Sequence, residues 1–226
     1  MLNSMNILVI VGGTNESSNA EYLADRFIDG LRESGVGVEK IRLREIPLEH
    51  FHLDHYHGRE AGRDFPRIQQ LMQNANGLVI SSPVWNFSVP AHLKNFIDHV
   101  GSFALDHYTR TKGQLNGLPC YFLFTGGAPT VAWRGLMRFT TMHLPESLRY
   151  FGASIAGVHY EGKCMLGPGK FGLVLDQRPS VQDDMRLRGK AFAELVKRFS
   201  QTGILPLRLR IKATLYRWGQ RLISKF

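Results

Sequence analysis

Residues 77–98 limit the choice of folds more than any other stretch of the chain. A short apolar run at residues 77–80 indicates a buried strand, and a helical pattern covers residues 91–98. Between them lies a loop with two prolines, two aromatic residues and an asparagine, Ser81-Ser82-Pro83-Val84-Trp85-Asn86-Phe87-Ser88-Val89-Pro90. Open α/β sheets bind flat ligands in loops at the carboxyl ends of their central strands. The stretch therefore predicts a strand, a ligand-binding loop and a helix in succession.

The rest of the chain repeats this alternation of apolar runs and helical patterns. Further strands are predicted at residues 6–11 and 118–125, which are largely apolar runs, at 153–160, and at 38–43, where apolar and charged residues alternate as in an edge strand. Helices are predicted from about residue 19 to 31, at 65–74, at 134–151 with an interruption near Pro145, and at 181–199. Alternating strands and helices predict an α/β fold with five parallel strands and helices on both faces.

Composition excludes several classes of protein. The 226 residues suit one ordinary domain with an extension, and the two cysteines, Cys120 and Cys164, form no CxxC pair. A disulfide scaffold and a four-thiolate metal site are therefore not expected, and Cys120 is predicted to be a buried apolar residue. No secretory signal and no apolar run of bilayer length are visible, so we expect the protein in the cytoplasm.

The positive charge is concentrated at the C-terminus. Residues 203–226 carry six Lys or Arg and no acid, and without them the net charge of +9 falls to +3. We predict a domain at residues 5–202 and a basic amphipathic tail at 203–226. As a helix from Leu205, the tail places Leu207, Ile211, Leu215, Trp218, Leu222 and Phe226 on one stripe. This pattern suits an interfacial membrane helix or a helix docked on a neighbouring subunit; nucleic-acid binding is not expected, since no recognition module accompanies the charge.

Three loops are candidates for a ligand site. Gly12-Gly13-Thr14-Asn15-Glu16-Ser17-Ser18-Asn19 precedes the first helix, where free backbone N–H groups and the helix dipole suit a phosphate. The aromatic loop at residues 83–87 can clasp a flavin ring, and Thr125-Gly126-Gly127 permits close approach of a ring. Each could also be an ordinary turn. Together, after strands one, three and four, they match a flavodoxin-like doubly wound sheet of order 2-1-3-4-5, which binds FMN at its switch point.

Two of these segments carry a family resemblance. Gly12-Gly13 followed by Ser17-Ser18-Asn19, and the run from Ser82-Pro83-Val84-Trp85-Asn86 through Pro90-Ala91 and Leu93-Lys94-Asn95 to Asp98, resemble the NAD(P)H-dependent FMN reductases of flavodoxin-like fold. The likeness covers roughly residues 6–200. It implies FMN as cofactor, NADPH or NADH as co-substrate, and a homodimer or homotetramer. It also implies a small-molecule acceptor: a quinone, an azo or nitro compound, a metal oxyanion or a free flavin.

The resemblance also implies which residues bind the cofactor. The phosphate would be held by Asn15, Ser17, Ser18 and Asn19, and the ring or ribityl chain would be contacted by Pro83, Val84, Trp85, Asn86, Thr125, Gly126 and Gly127. No residue is expected to act as a general acid or nucleophile, because the chemistry belongs to the cofactor.

The chain departs from the family pattern at four positions. Gly13 stands where the family often has Ser, Asn15 where it often has Arg, Val84 where Glu is frequent and Trp85 where Tyr is usual. The phosphate would then rest more on backbone amides and the helix dipole, each such end effect contributing about 0.3–1 kcal/mol when exposed. No cysteine precedes the third strand, so no iron–sulfur cluster is expected.

Other interpretations remain open at this point. The chain could be a flavodoxin-type electron carrier, although such carriers are typically acidic, or a non-catalytic, membrane-associated flavin sensor at the inner face of the membrane. His50, His52, His55 and His57 lie close together in sequence. Their spacing fits no standard metal site, so we predict no metal and interpret the segment as a mobile lid or an interface loop.

Overall fold

The computed structural model describes residues 5–223 and contains one five-stranded parallel sheet. Its strand order is β2-β1-β3-β4-β5, as predicted. In register, Ile10 of β1 lies between Ile41 of β2 and Ile80 of β3, and Ile80 pairs with Phe122 of β4. The strands are β1 Asn6–Val11, β2 Gly37–Arg42, β3 Gly77–Pro83, β4 Pro119–Thr125 and β5 Ser154–Glu161.

Helices cover both faces of this sheet. One apolar core lies between the sheet and α1 with α6, and the other lies between the sheet and α2, α3 and α5. The helices are α1 Asn19–Glu33, α2 Phe65–Asn74, α3 Ala91–Ala104, α4 Thr130–Arg134, α5 His143–Tyr150, α6 Pro179–Thr202 and α7 Leu207–Ile223. Four short 3-10 turns lie at Leu43–Glu45, Leu53–His57, Leu136–Thr140 and Leu175–Gln177.

The central strands β1, β3 and β4 are buried on both faces because their sequences are mostly apolar. Six of the seven β3 residues are buried, and its Ser81 has no exposed surface. The Ser81 hydroxyl donates to the carbonyl oxygen of Ala20 at 2.6 Å, which satisfies the buried hydroxyl and joins β3 to the first turn of α1. Cys120 is buried in β4, as predicted.

The edge strand β2 is tied to the same helix by charge. Glu21 accepts hydrogen bonds from Lys40 Nζ at 2.9 Å and Arg42 Nε at 2.5 Å. Burial opposes ionisation of Glu21, but the hydrogen bonds and charges of Lys40 and Arg42 outweigh it and hold the pKa of this carboxyl below its ordinary value. The N-terminal half of α1, which directly follows the phosphate-site candidates, is therefore fixed from two sides.

The predicted helix at 134–151 is wrong as a single element. The structure has a 3-10 turn and two short helices, α4 and α5, in residues 130–150. Gly135 ends α4 with a backbone that is neither helical nor extended (φ −77°, ψ −127°). Pro145 lies in the first turn of α5, where backbone N–H groups have no helical partner and proline costs little. The proline therefore begins a helix and does not interrupt one.

The tail forms the helix α7, which begins at Leu207, after Pro206, instead of at Leu205. Gly203, in the left-handed conformation (φ 66°), separates it from α6. Leu209 is buried where α7 packs on the edge strand β5. Leu222 and Phe226 of the predicted stripe lie outside the residues whose side chains are described. Across residues 5–223, no helix combines the length and the apolar character that crossing a bilayer requires.

Candidate functional site

The loops after β1, β3 and β4 meet at the carboxyl edge of the sheet and enclose one cleft of 440 Å³. All eleven residues predicted from the sequence line it: Asn15, Ser17, Ser18, Asn19, Pro83, Val84, Trp85, Asn86, Thr125, Gly126 and Gly127. Parallel order places these loops side by side although the first and the third are more than 100 residues apart in the chain.

The first wall is the N-terminus of α1. Ser18 caps the helix, its hydroxyl accepting from the Glu21 N–H at 3.4 Å. Within the described part of the chain, the backbone N–H groups of residues 13–19 have no hydrogen-bond acceptor. A Cβ on Gly13 would lie 2.5 Å from Ser18 Oγ. Glycine therefore lets the loop fold against its own cap, and the loop that borders the cleft keeps N–H donors without acceptors, which suits an anion.

The second wall is a tight hairpin turn after β3. Trp85 and Ser88 exchange two backbone hydrogen bonds of 2.8 Å. Asn86 and Phe87 between them both have left-handed backbone, with φ of 47° and 60°, as in a type I′ turn. Asparagine tolerates this conformation, but phenylalanine is strained in it. Phe87 is 69% exposed, so packing in the core does not explain why a phenylalanine occupies this strained position.

The third wall is Thr125-Gly126-Gly127, after β4. The Thr125 carbonyl oxygen accepts from the Val84 N–H at 2.7 Å, which joins this wall to the second. A Cβ on Gly126 would lie 2.6 Å from Tyr160 Oη, and one on Gly127 would lie 2.6 Å from Met165 Sδ. Side chains at either position would meet these neighbours, so the two glycines keep the wall close to its surroundings.

Sequence reasoning missed a fourth wall, the segment that follows β5. The residues of this fourth wall are Cys164, Met165, Phe171 and Gly172. Thr14, in the first wall, also lines the cleft and was not predicted. Asn19 fastens the segment: its Nδ2 donates to the Gly172 carbonyl oxygen at 2.7 Å, and its Oδ1 accepts from the N–H groups of Val174 and Leu175 at 2.9 and 3.2 Å. The amide of Asn19 is thus engaged in positioning the fourth wall. The many glycines at residues 162–172 were the one sequence signal that a loop approaches closely here.

The cleft has no charged lining. None of its sixteen lining residues is Asp, Glu, Lys, Arg or His, and burial raises the pKa of Cys164 to about 12, so its thiol stays neutral. Arg44 approaches from the 3-10 turn after β2, its Nη1 lying 3.5 Å from the carbonyl oxygen of Thr14 in the first wall. An anion in the cleft would therefore meet mainly neutral donors and the positive end of α1.

The histidine-rich segment is packed against the protein where it meets α3. His55 is buried, its ring lies 4.5 Å from that of His99 and edge-on to it, and Phe51 stacks on it at 5.6 Å. The interpretation as a mobile lid therefore does not suit His55. Among residues 5–223, no group of three or more His, Cys, Asp or Glu is arranged to hold a metal ion.

Comparison with known proteins identifies the family. A family model described as NADPH-dependent FMN reductase matches residues 5–153, about two thirds of the chain. The chain belongs to this family. An oxidoreductase activity that uses FMN and NAD(P)H and reduces a small-molecule acceptor follows from that membership.

Curated relatives agree with the assignment. The chain is 32% identical over 136 residues to an FMN-dependent NADH:quinone oxidoreductase of Mycoplasma genitalium, which covers 54% of this chain and 68% of the relative. It is 31% identical over 102 residues to an FMN reductase (NADPH) of Pseudomonas putida, covering 45% of this chain and 50% of that protein.

Solved structures show the same fold at low identity. The NAD(P)H:quinone oxidoreductase from Methanothermobacter marburgensis superposes with a TM-score of 0.61 at 18% identity, covering 84% of this chain and 94% of that one. RosB, solved with a bound 8-demethyl-8-formylriboflavin-5'-phosphate, superposes with a TM-score of 0.64 at 16% identity, covering 95% and 87%.

Proposed function

We propose that the four-walled cleft binds FMN, and that the chain passes a hydride from NAD(P)H through it to a flat, apolar acceptor of the quinone or azo type. The observation that carries this proposal is the convergence of the three predicted loops on one neutral cleft at the carboxyl edge of the sheet. FMN supplies the acceptance and donation of hydride, and the protein supplies binding and orientation.

The residues present fit such a cofactor. The cleft volume of 440 Å³ lies within the range of about 300–1,000 Å³ typical of small-molecule sites. One end offers N–H and hydroxyl donors, as a phosphate needs, and the other offers an aromatic side and two glycines, as a flat ring needs. The division of the chain into a catalytic unit at residues 5–202 and a tail at 203–226 is part of the same proposal.

The phosphate end would work without a bound cation. Ser17 and Ser18 contribute hydroxyls, and the N–H groups of residues 13–19 contribute donors that have no other acceptor in the described structure. A helix N-terminus stabilises a negative charge by about 0.3–1 kcal/mol when exposed and up to about 2 kcal/mol when partly buried. Several neutral donors acting together would therefore replace the arginine that the family often has at the position of Asn15.

The ring end would use backbone groups and Trp85. Among the described residues, the N–H groups of Asn86 and Gly127 have no acceptor, and both residues line the cleft. They are available to the polar edge of a flavin ring, while Trp85 and Pro83 cover apolar surface. The bonded turn at 85–88 holds Trp85 and Asn86 in place, which lowers the ordering cost of binding.

The surroundings of the cleft favour a flat, apolar acceptor. Phe87 and Phe171 are large exposed aromatic residues, and Phe171 lines the cleft itself. A metal oxyanion matches the ring end less well, because that end offers aromatic and glycine surface and no cationic side chain. A quinone or azo compound matches the aromatic, neutral surface, in agreement with the quinone acceptor named for the Mycoplasma genitalium relative.

Assembly and location are also part of this proposal. The family resemblance implies a homodimer or homotetramer, which sedimentation velocity of the purified protein would test. Peripheral contact with the inner face of the membrane is proposed through the basic tail, because α7 carries basic residues and an apolar stripe on its surface.

The decisive experiment is anaerobic reduction. The purified protein should bind FMN, and NADPH or NADH should bleach the flavin absorbance, which a quinone then restores. FMN binding without bleaching by either nicotinamide would refute the reductase proposal and favour an electron carrier or sensor.

Placement of the phosphate is tested by serines at opposite ends of one helix. Ser17→Ala removes a cleft hydroxyl and should weaken FMN binding about fivefold. A hydrogen bond to a charged group is worth about 1.5–3 kcal/mol, and the donors that remain nearby should compensate for part of that loss. Ser34→Ala removes the hydroxyl that bonds the Gly30 carbonyl oxygen at the other end of α1 and should leave binding unchanged. Equal effects of the two variants would refute this placement.

A further inference from the structure

A second cleft lies away from the flavin site, between the edge strand β5 and α7. It has a volume of 590 Å³. Its apolar residues come from β5, α6 and α7, and include Ile155, Val158, Leu195 and Leu209. Its five basic residues are Arg134, Arg138, Arg149, Arg208 and Lys212, and no acidic residue lines it.

The two segments that flank this cleft carry one sign of charge. Residues 130–145 contain two Lys or Arg, residues 203–223 contain five, and neither contains Asp or Glu. Arg149 is paired with Glu146. Within the described structure, no carboxylate lies within ion-pair distance of Arg134, Arg138, Arg208, Arg210, Lys212 and Arg217. Unpaired cations around an apolar floor fit an anionic partner with apolar parts.

A buried donor points to the same cleft. Trp133 lines it and is 8% exposed, and in the described structure its indole N–H has no hydrogen-bond acceptor. The ring stacks on Tyr160 at 4.8 Å and 1°, which fixes its orientation. Buried polar groups normally have a partner, so this residue leaves beside the basic cleft a donor that the described side chains do not satisfy.

The helix α7 buries the face opposite to its apolar stripe. Leu209 is buried and Tyr216 is half-buried, with the Arg149 guanidinium 5.5 Å from the Tyr216 ring. The predicted stripe faces solvent: Leu207, Ile211, Leu215 and Trp218 are 68%, 51%, 62% and 63% exposed. A surface helix normally turns its apolar stripe to the core. This stripe therefore requires another explanation, such as a binding surface.

The surface continues beyond α7. The segment after β4 exposes Val131, Leu136 and Phe139 beside Arg134 and Arg138, which line the same cleft as Arg208 and Lys212. The basic cleft is thus bordered on two sides by exposed apolar side chains. We call these residues, the α7 stripe and the cleft together, the basic–apolar surface.

Resting on the membrane contact proposed above for the tail, we infer that the basic–apolar surface binds an anionic phospholipid bilayer, with lipid phosphates at the basic cleft and the apolar side chains at the boundary between headgroups and acyl chains. Such binding combines buried apolar area with attraction to anionic lipids. A second copy of the chain is a poorer partner, because the whole chain carries +9 and self-association through this surface would bring like charges together. A bilayer offers anionic headgroups to the unpaired cations and an apolar phase to the exposed apolar side chains.

Vesicle binding of the full chain tests the inference. Vesicles containing phosphatidylglycerol should bind the protein, vesicles of phosphatidylcholine alone should not, and added salt should weaken the binding. Because each basic residue near an anionic surface contributes about a factor of five, Arg208→Gln with Lys212→Gln should weaken binding about 30-fold. Ile211→Ala with Leu215→Ala should weaken it by about tenfold or more.

Matched controls are available elsewhere on the surface. Arg63→Gln removes an exposed charge, and Leu53→Ala removes an exposed apolar side chain, neither of which borders the basic cleft. Both should bind vesicles as the wild type does. Circular dichroism and the melting temperature of every variant establish that the fold is intact, independently of whether FMN binds.

Fluorescence adds a readout that a change of fold cannot imitate. Trp218 should be quenched by lipids brominated on their acyl chains, and that component should be absent in Trp218→Phe. Equal binding to the two kinds of vesicle, or unchanged binding of both double variants, would overturn the inference. So would sedimentation velocity in which the Ile211 and Leu215 variant dissociates an oligomer, because the stripe would then be a subunit interface.

Discussion

Replacement of Gly126 by alanine tests the geometry of the third wall. The backbone of Gly126 is not in the left-handed region, so alanine is conformationally allowed and steric contact is its only penalty. The new Cβ would lie 2.6 Å from Tyr160 Oη. That hydroxyl is held by donation to the Ala128 carbonyl oxygen at 3.0 Å, and burial raises the pKa of Tyr160 to about 12, so the hydroxyl stays protonated.

The magnitude follows from what must move. Overpacking by one methyl group costs about 1–3 kcal/mol, and Tyr160→Phe alone should cost about 0.5–1.5 kcal/mol for its hydrogen bond. In the double variant the Oη contact is gone. Two carbons of the Tyr160 ring would still lie 3.2 Å from the new Cβ, so the relief is partial. We expect the double variant to be about 1–2 kcal/mol more stable than the sum of the single effects.

Urea unfolding of the wild type, the two single variants and the double variant measures this coupling. FMN titration of the same proteins measures the affinity of the cleft for the cofactor. Gly126→Ala should weaken FMN binding, and Tyr160→Phe should restore part of it. Gly167→Ala is the control, because its Cβ would meet only Lys170 Cδ at 3.9 Å. If Gly126→Ala costs the same free energy of unfolding in both backgrounds, Tyr160 does not confine the third wall and the reasoning fails.

Three further predictions concern residues around the site. Arg44→Gln should weaken FMN binding about two- to fivefold at low salt and less at high salt, because an exposed charge contributes about 0.3–1 kcal/mol; titrations at two ionic strengths that show equal losses would exclude a charge effect. Phe87→Gly should change the free energy of unfolding by no more than about 1 kcal/mol, because relief of about 1–2 kcal/mol of left-handed strain offsets the flexibility of glycine and the lost contacts of the ring. The KM for a quinone should rise in this variant. A large loss of stability in urea would contradict the prediction. Glu21→Gln should destabilise the protein by about 1–3 kcal/mol at neutral pH. Because Lys40 and Arg42 hold the folded-state pKa of Glu21 below 4.5, the stability difference between wild type and variant should shrink as pH falls below 4.5. A stability difference that stays constant in acid unfolding curves would argue against the ion pairs.

The fold was predictable because its signals are local. Residues 6–11 and 77–80 are short apolar runs that end at polar or glycine-rich loops, and no other element satisfies that pattern as well as a doubly buried strand. The site followed from topology, since parallel order brings the loops after β1, β3 and β4 to one edge. Neither step required knowledge of side-chain contacts.

What the sequence could not supply depends on distant contacts. The fourth wall is fastened by Asn19 to Gly172, 153 residues away in the chain, and no local pattern encodes that bond. The division of residues 130–150 into two helices was missed for a related reason. The sequence placed the interruption at Pro145, but a proline can begin a helix as well as interrupt one, and only packing decides. Likewise, the apolar stripe of α7 was visible, but which face the helix buries was not.

The departures from the family pattern become consistent when the walls are considered together. Gly13 gives up a side-chain donor, yet a side chain there would strike Ser18, the residue that caps α1. Asn15 gives up a cation, yet the loop leaves its N–H groups without acceptors in the described structure, and Arg44 reaches the same loop from the 3-10 turn after β2. A site of neutral donors is desolvated at less cost than one containing a buried charge. With the phosphate placed as proposed, the substitutions would shift its binding from charge pairing to backbone donation, and FMN affinity should depend only weakly on salt.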